Sequence, residues 1–209
     1  MTVDPTAATP NPSGIVQRVQ DILLRPQATW PVIATENTSI GALLTGYIAP
    51  LAAIAAIAAM LGVLMIFGLA GLVGALIFAI VQVALWCVGT VIWGIIINAL
   101  ASSMGSEANQ TRAFQLSAYS ATGALVGGIG AIIPVLGTVI AFVGGIYSLV
   151  LLYMGLGPMM KTPEDKKIVY VLVLVGIAIV AGIIISTLFW GMFMGMLGLG
   201  MHSAFTIPK

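Results

Sequence analysis

Hydrophobic and polar positions in this chain separate into long blocks instead of alternating residue by residue. Residues 37–106 carry no charged side chain, and neither do 113–160 or 168–208. Charged islands lie between these blocks. Asp4, Arg18, Asp21, Arg25 and Glu36 precede the first, and Glu107 and Arg112 follow it. Lys161, Glu164, Asp165, Lys166 and Lys167 form the last island before the third block. A charge at the centre of a bilayer is strongly unfavourable, so each block reads as membrane and each island as a water-facing loop. A helix needs about 20 apolar residues to cross a ~30 Å hydrocarbon core. The first block therefore predicts two spans, near 43–67 and 72–100, turned by Gly68, Gly71 and Gly74. The second predicts two more, near 114–133 and 135–156, separated where Pro134 lacks the N–H a continuing helix requires. The third predicts one span, from 168 to about 193. The expected fold is an all-α, five-span transmembrane helical bundle.

Charge placement orients that bundle. With a cytoplasmic N-terminus, Arg18, Arg25, Arg112, Lys161, Lys166 and Lys167 all fall inside and only Lys209 falls outside, as the positive-inside rule favours. The C-terminus is then external. Composition agrees: 60% of residues are hydrophobic, 6% are charged, and the mean hydropathy is +1.16. This excludes a soluble globular domain, a disordered tail and a disulfide scaffold. A net charge of +1 with no basic stripe argues against nucleic acid as a partner. Cys87 is the single cysteine, which excludes an intrachain disulfide and a cysteine-based metal site.

Residues 1–14, rich in Pro, Thr and Ala, read as a disordered lead, and the first long apolar run comes too late for a signal peptide. Residues 15–40 read as a cytoplasmic or interfacial helical arm. Ile15, Val19, Ile22 and Leu23 recur at helical spacing opposite Arg18, Asp21 and Arg25, and Pro26 ends the run. Trp30 is expected at the headgroup zone, with the arm lying on the cytoplasmic leaflet as an amphipathic helix. The alternative is that the arm packs on the protein's own cytoplasmic loops. Residues 41–198 form the membrane domain and 199–209 a short tail.

Two ordered blocks carry a family resemblance. The first contains Leu23, Arg25, Pro26, Thr29 and Trp30, followed by Gly46, Tyr47 and Pro50 at the head of the first span. The second contains Ala118, Tyr119 and Ser120, then Ile133, Pro134 and Gly137, then Tyr147, Ser148 and Leu149. Over roughly residues 15–190 the chain resembles bacterial Yip domain (Ypt-interacting protein domain) proteins. The resemblance implies a five-span integral protein of the bacterial inner membrane with a cytoplasmic N-terminus. Eukaryotic relatives of that family engage Rab GTPases. Their acidic-Leu-Tyr-Gly-Pro motif is absent here, so no GTPase-contact residue carries over.

The spans contain no Asp, Glu, Lys, Arg or His, the residues that mark proton relays and metal sites within membranes. The sole histidine, His202, follows the last span, too far from Ser117 and Ser120 to act as their base. No catalytic group, cofactor site or metal site is expected, and the chain reads as a non-enzyme. Gln82, Asn98, Gln115, Tyr119 and Ser120 are the candidate interhelical polar groups. They read as hydrogen-bonding glue between helices or as the lining of a polar cavity. The pairs Gly123/Gly127 and Gly191/Gly195 offer close helix approach within the bundle or between copies, which leaves room for a homo-oligomer. The leading reading is a scaffold or adaptor. It would work through a cytoplasmic face at which Arg18, Arg25, Trp30, Arg112, Lys161, Lys166 and Lys167 meet a protein partner. The alternative is a small transporter or channel for a neutral solute, using the Gly and Pro breaks near residues 127–134.

Overall fold

The computed structural model describes the backbone of residues 12–204 and the side chains of residues 14–187 other than 134 and 185. The described elements are helical. Two units are distinguished, Met1–Ile168 and Val169–Lys209. In the first, the arm forms α1 (Pro12–Leu24) and α2 (Pro26–Ile33). The helix α3 (Ile40–Leu43) passes through a π-helical turn, Leu44–Ile48, into α4 (Ala49–Phe67), and α5 (Leu72–Ala101) follows. Next come α6 (Gln110–Ser120), α7 (Thr122–Gly128) and α8 (Pro134–Met160). The last helix, α9 (Glu164–Ala204), starts in the first unit, and its continuation from Val169 is the second. Residues 1–11 of the expected lead and 205–209 of the expected tail lie outside the described residues. Helix α1 begins inside the lead, and α9 runs through 199–204 of the tail.

Each break has a local cause. Ser39 caps α3 by accepting from the Ala42 amide, and Asn109 caps α6 by accepting from the Arg112 amide. Gly68, at φ +59°, opens a tight 3-10 turn, Gly68–Gly71, that reverses the chain between α4 and α5. Pro134 opens α8, where a missing N–H costs nothing.

Among the described residues, three stretches are long and apolar enough to cross a membrane: Ile40–Met104, Val135–Met160 and Glu164–Ile184. The first holds both α4 and α5. The expected third span, 114–133, is not among them. It is divided into α6, α7 and a 3-10 turn, Ile129–Ile132. Its polar side chains lower its apolarity, and at the break the Thr122 hydroxyl donates to the Tyr119 carbonyl. Leu116, Ser117, Ala118 and Thr122 are buried, so protein instead of lipid surrounds the first half of this segment, whereas Ile129, Ile132 and Ile133 at its end are exposed. Close backbone packing holds it. A Cβ on Gly123 would lie 2.7 Å from the Gly144 carbonyl oxygen, and one on Gly127 would lie 2.9 Å from that of Ile140. This glycine pair thus packs within the bundle, against α8. The Gly191/Gly195 pair lies beyond the described side chains.

Outward faces of α4, α5 and α8 carry exposed large apolar side chains, among them Ile57, Phe78, Leu85, Val139 and Phe142. Contiguous apolar surface of this kind needs a bilayer as its solvent.

Candidate functional site

Pro26 cannot continue α1, and the helix end is closed from elsewhere. Thr29 Oγ1 donates to the carbonyls of Asp21 at 2.9 Å and Arg25 at 2.8 Å. The Tyr147 hydroxyl of α8 donates to the Leu23 carbonyl at 2.5 Å. Carbonyls orphaned by the chain break thereby recruit a distant helix. Ile22, Trp30 and Ile33 are completely buried. A Cβ on Gly155 would lie 2.5 Å from Leu116 Cδ1 and 2.9 Å from Trp30 Cε2, so the missing side chain at 155 makes the groove that receives the indole. Trp30 was expected among lipid headgroups and is instead packed against α8. The arm buries its apolar anchors on the bundle, while Val16 and Leu24 stay exposed.

Under the arm lies a polar core. Arg18 pairs with Glu36 at 2.5 Å, both about three-quarters buried, and its guanidinium sits 5.7 Å from the centre of the Tyr119 ring. Tyr119 meets Tyr47 edge-on at 4.8 Å. Tyr47 Oη and Thr122 Oγ1 are 2.7 Å apart. Because Thr122 donates to Tyr119, Tyr47 is the donor in that contact. Gln115 Nε2 donates to the Glu36 carbonyl at 3.0 Å, and the Ser117 hydroxyl donates to the Thr90 carbonyl at 2.8 Å. Ser120 closes onto Ser117. Ser148 Oγ accepts from the Ala124 amide, one of the amides left open where α7 restarts. Asn98 Nδ2 donates to Gln110 at 2.8 Å, whereas Asn98 Oδ1, Gln82 Oε1 and Gln115 Oε1 have no hydrogen-bond partner among the described residues. Of the expected interhelical polar residues, Gln115, Tyr119 and Ser120 therefore share one core. Asn98 serves the start of α6, and Gln82 stands apart.

The two later charged islands form a clasp. Ser106 donates to Thr162 at 2.9 Å, the Glu107 amide to the Met160 carbonyl at 2.8 Å, and Lys161 pairs with Glu107 at 2.6 Å. The hydrogen bond from Lys161, followed by its charge, holds the Glu107 carboxyl below its ordinary range. Lys166 lies over Gly105, itself at φ +67°. Lys167 is only 8% exposed and pairs with Glu164 at 2.5 Å, with its ammonium 5.9 Å from the Tyr153 ring centre. Gly157 makes room for it: a Cβ there would meet Lys167 Nζ at 2.7 Å. Arg25, Arg112 and Lys166 make no ion pair among the described residues.

A cleft of about 580 Å³ joins arm and clasp. Gln27 and Trp30 line it from α2, Tyr153, Met154, Gly157 and Pro158 from α8, and Lys161, Thr162, Glu164 and Lys167 from beyond. Of the expected interface residues, Trp30, Lys161 and Lys167 meet here. Arg18 is committed to the polar core. Sequence reasoning missed Glu36, Tyr153 and Gly157 as members of these sites. The Tyr153/Gly157 spacing of one helical turn was a readable signal; the pairing of Arg18 with Glu36 across a chain reversal was not. No group of His, Cys, Asp and Glu able to hold a metal occurs among the described residues.

The Yip1 domain family model matches residues 21–186 of this chain. The match covers the arm from the end of α1, the polar core apart from Arg18, the clasp and most of the apolar helices. No curated protein and no solved structure matches.

Proposed function

The chain belongs to the Yip1 domain family, and on that premise we propose that it is a non-enzymatic scaffold or adaptor of the cytoplasmic membrane. It presents one interaction face to the cytoplasm. The observation that carries this reading is the joining of the three charged segments. Arm and α8 are linked through Trp30 and Tyr147, and the loops after α5 and α8 through Glu107–Lys161 and Ser106–Thr162. Segments that meet at one end are separated by an even number of crossings. This favours two hairpins plus α9, five spans in all, with the N-terminus inside and the C-terminus outside. Arg25 and Arg112, without ion-pair partners among the described residues, are the groups on this face available to a protein partner.

Photo-crosslinkers placed at Arg25 and Arg112 in native membranes test the reading. The expected result is a discrete crosslinked protein, lost from the probe at 25 in an R112E background and from the probe at 112 in an R25E background, with thermal stability unchanged. Absence of any crosslinked protein at both positions overturns it. The unpartnered Gln82 and Gln115 oxygens and the broken α6–α7 helix favour a second reading, a pathway for a neutral solute. Under it, Gln82→Leu would abolish solute flux in a protein of unchanged stability.

A further inference from the structure

The cleft between α2, the end of α8 and the start of α9 contains a charge that its surroundings under-compensate. Lys167 is 8% exposed, so its ammonium has lost most of its water. Its one carboxylate partner, Glu164, has a side chain 82% exposed, and a carboxylate in water returns little of a buried cation's hydration. Lys161 opens on the same cleft; its pair with Glu107 at 2.6 Å joins two side chains that are 66% and 54% exposed, so that pair too is exchanged for another anion at small cost, and its backbone is left-handed at φ 50°, where a non-glycine residue is disfavoured. Trp30 walls the cleft, and its buried indole N–H meets no acceptor among the described residues.

Beside the polar Gln27 and Thr162, the lining carries apolar side chains that follow a line along α8. Met154 and Pro158 lie in the cleft, and at the same four-residue spacing along α8 come Val150 and Ile146, both exposed. This stripe leads from the outward apolar surface of α8 directly to the two lysines. A ligand matched to it has an anionic head and a hydrocarbon tail. The cleft also stands at the ends of Val135–Met160 and Glu164–Ile184, two stretches apolar enough to cross a bilayer, which is the depth of headgroups.

We infer that the cleft binds the phosphate of an anionic phospholipid from the surrounding leaflet. Lys161 and Lys167 hold the phosphate, and an acyl chain lies along Ile146, Val150, Met154 and Pro158. Glu164 occupies the anion's position until the lipid arrives, and its exposure lets it swing into solvent at small cost. Binding needs no protein partner and is read on the purified chain, so its failure would leave the adaptor reading untouched.

Native mass spectrometry of the detergent-purified full chain tests this, titrated with dioleoylphosphatidylglycerol or dioleoylphosphatidylcholine. The anionic lipid is expected to be retained and the zwitterionic one released. K161Q should weaken retention about tenfold, as for loss of one charge-assisted contact. E164Q, which removes the carboxylate that competes for Lys167, should strengthen it about threefold. D165N removes the same charge one residue away and outside the cleft lining, and should change nothing. K167Q extends the series if it folds; K161Q and E164Q decide the matter if it does not. Retention of the lipid against excess inorganic phosphate supports the lipid as the source. Displacement by phosphate at equal concentration assigns the site to a free anion and overturns it. Equal retention of the two lipids, or a D165N gain equal to that of E164Q, overturns the site itself.

Discussion

Hydroxyl groups buried in an apolar bundle gain stability only as complete chains of donors and acceptors, and Tyr47 and Thr122 show how unequal the two ends of one hydrogen bond are. Thr122 donates to the Tyr119 carbonyl and accepts from Tyr47. Tyr47→Phe removes a donor and leaves Thr122 bonded, at a cost of about 1 kcal/mol. Thr122→Val strands the Tyr47 hydroxyl, 3% exposed as a residue, and should cost about 2 kcal/mol, the larger loss. Thermal melts of the two variants in detergent should therefore rank T122V below Y47F, and the reverse order would refute the donor assignment. Glu107 makes a second prediction at this scale. Lys161 holds its folded-state pKa below the unfolded value, so the clasp's contribution is present above the unfolded pKa and lost as pH falls through the folded one. Cleavage of the 102–109 loop by an acid-active protease should rise only under distinctly acid conditions. Glu107→Gln should show the rapid cleavage at every pH.

Among the elements, the arm and the α6–α7 segment show where hydrophobic pattern succeeds and where it stops. The charge-free blocks located α4, α5 and α8 because an apolar run opposite lipid is a property of the run alone. Gly68 and Pro134 marked reversals for equally local reasons. The α6–α7 segment was harder to read, because its polar groups are satisfied by other elements: Ser117 by Thr90, Thr122 by Tyr47, the Ala124 amide by Ser148. Trp30 was misplaced for the same reason. An amphipathic run with a tryptophan has the same pattern whether a bilayer or a groove covers it, and the groove here depends on Gly155, more than a hundred residues away. If Arg18–Glu36 helps seat the arm, mutating both should cost less than the separate effects combined. Both groups are about a quarter exposed, which limits their coupling to about 1 kcal/mol. A double-mutant cycle with R18Q and E36Q, read by thermal melts, should return that value. Additive effects would mean that Trp30, Ile33 and Tyr147 seat the arm alone.

For the molecule as a whole, the decisive quantity is the side on which each loop emerges, because both the adaptor face and the lipid cleft require the charged segments to share a compartment. The clasp requires 106 and 162 to lie together, since their hydroxyls are 2.9 Å apart. The 3-10 turn at Gly68–Gly71 is separated from that clasp by the whole of α5. At about 1.5 Å per residue, a helix of that length exceeds the hydrocarbon thickness. The turn must therefore emerge opposite the clasp if α5 crosses. Single cysteines introduced into a Cys87→Ala background provide the measurement. Positions 69 and 106 should react with a membrane-impermeant maleimide from opposite faces of sealed vesicles, and 162 should follow 106. Labelling of 69 and 106 from the same face would remove α5 from the count of crossings. It would also place the clasp, the cleft and the exposed arginines on a surface that this topology does not provide.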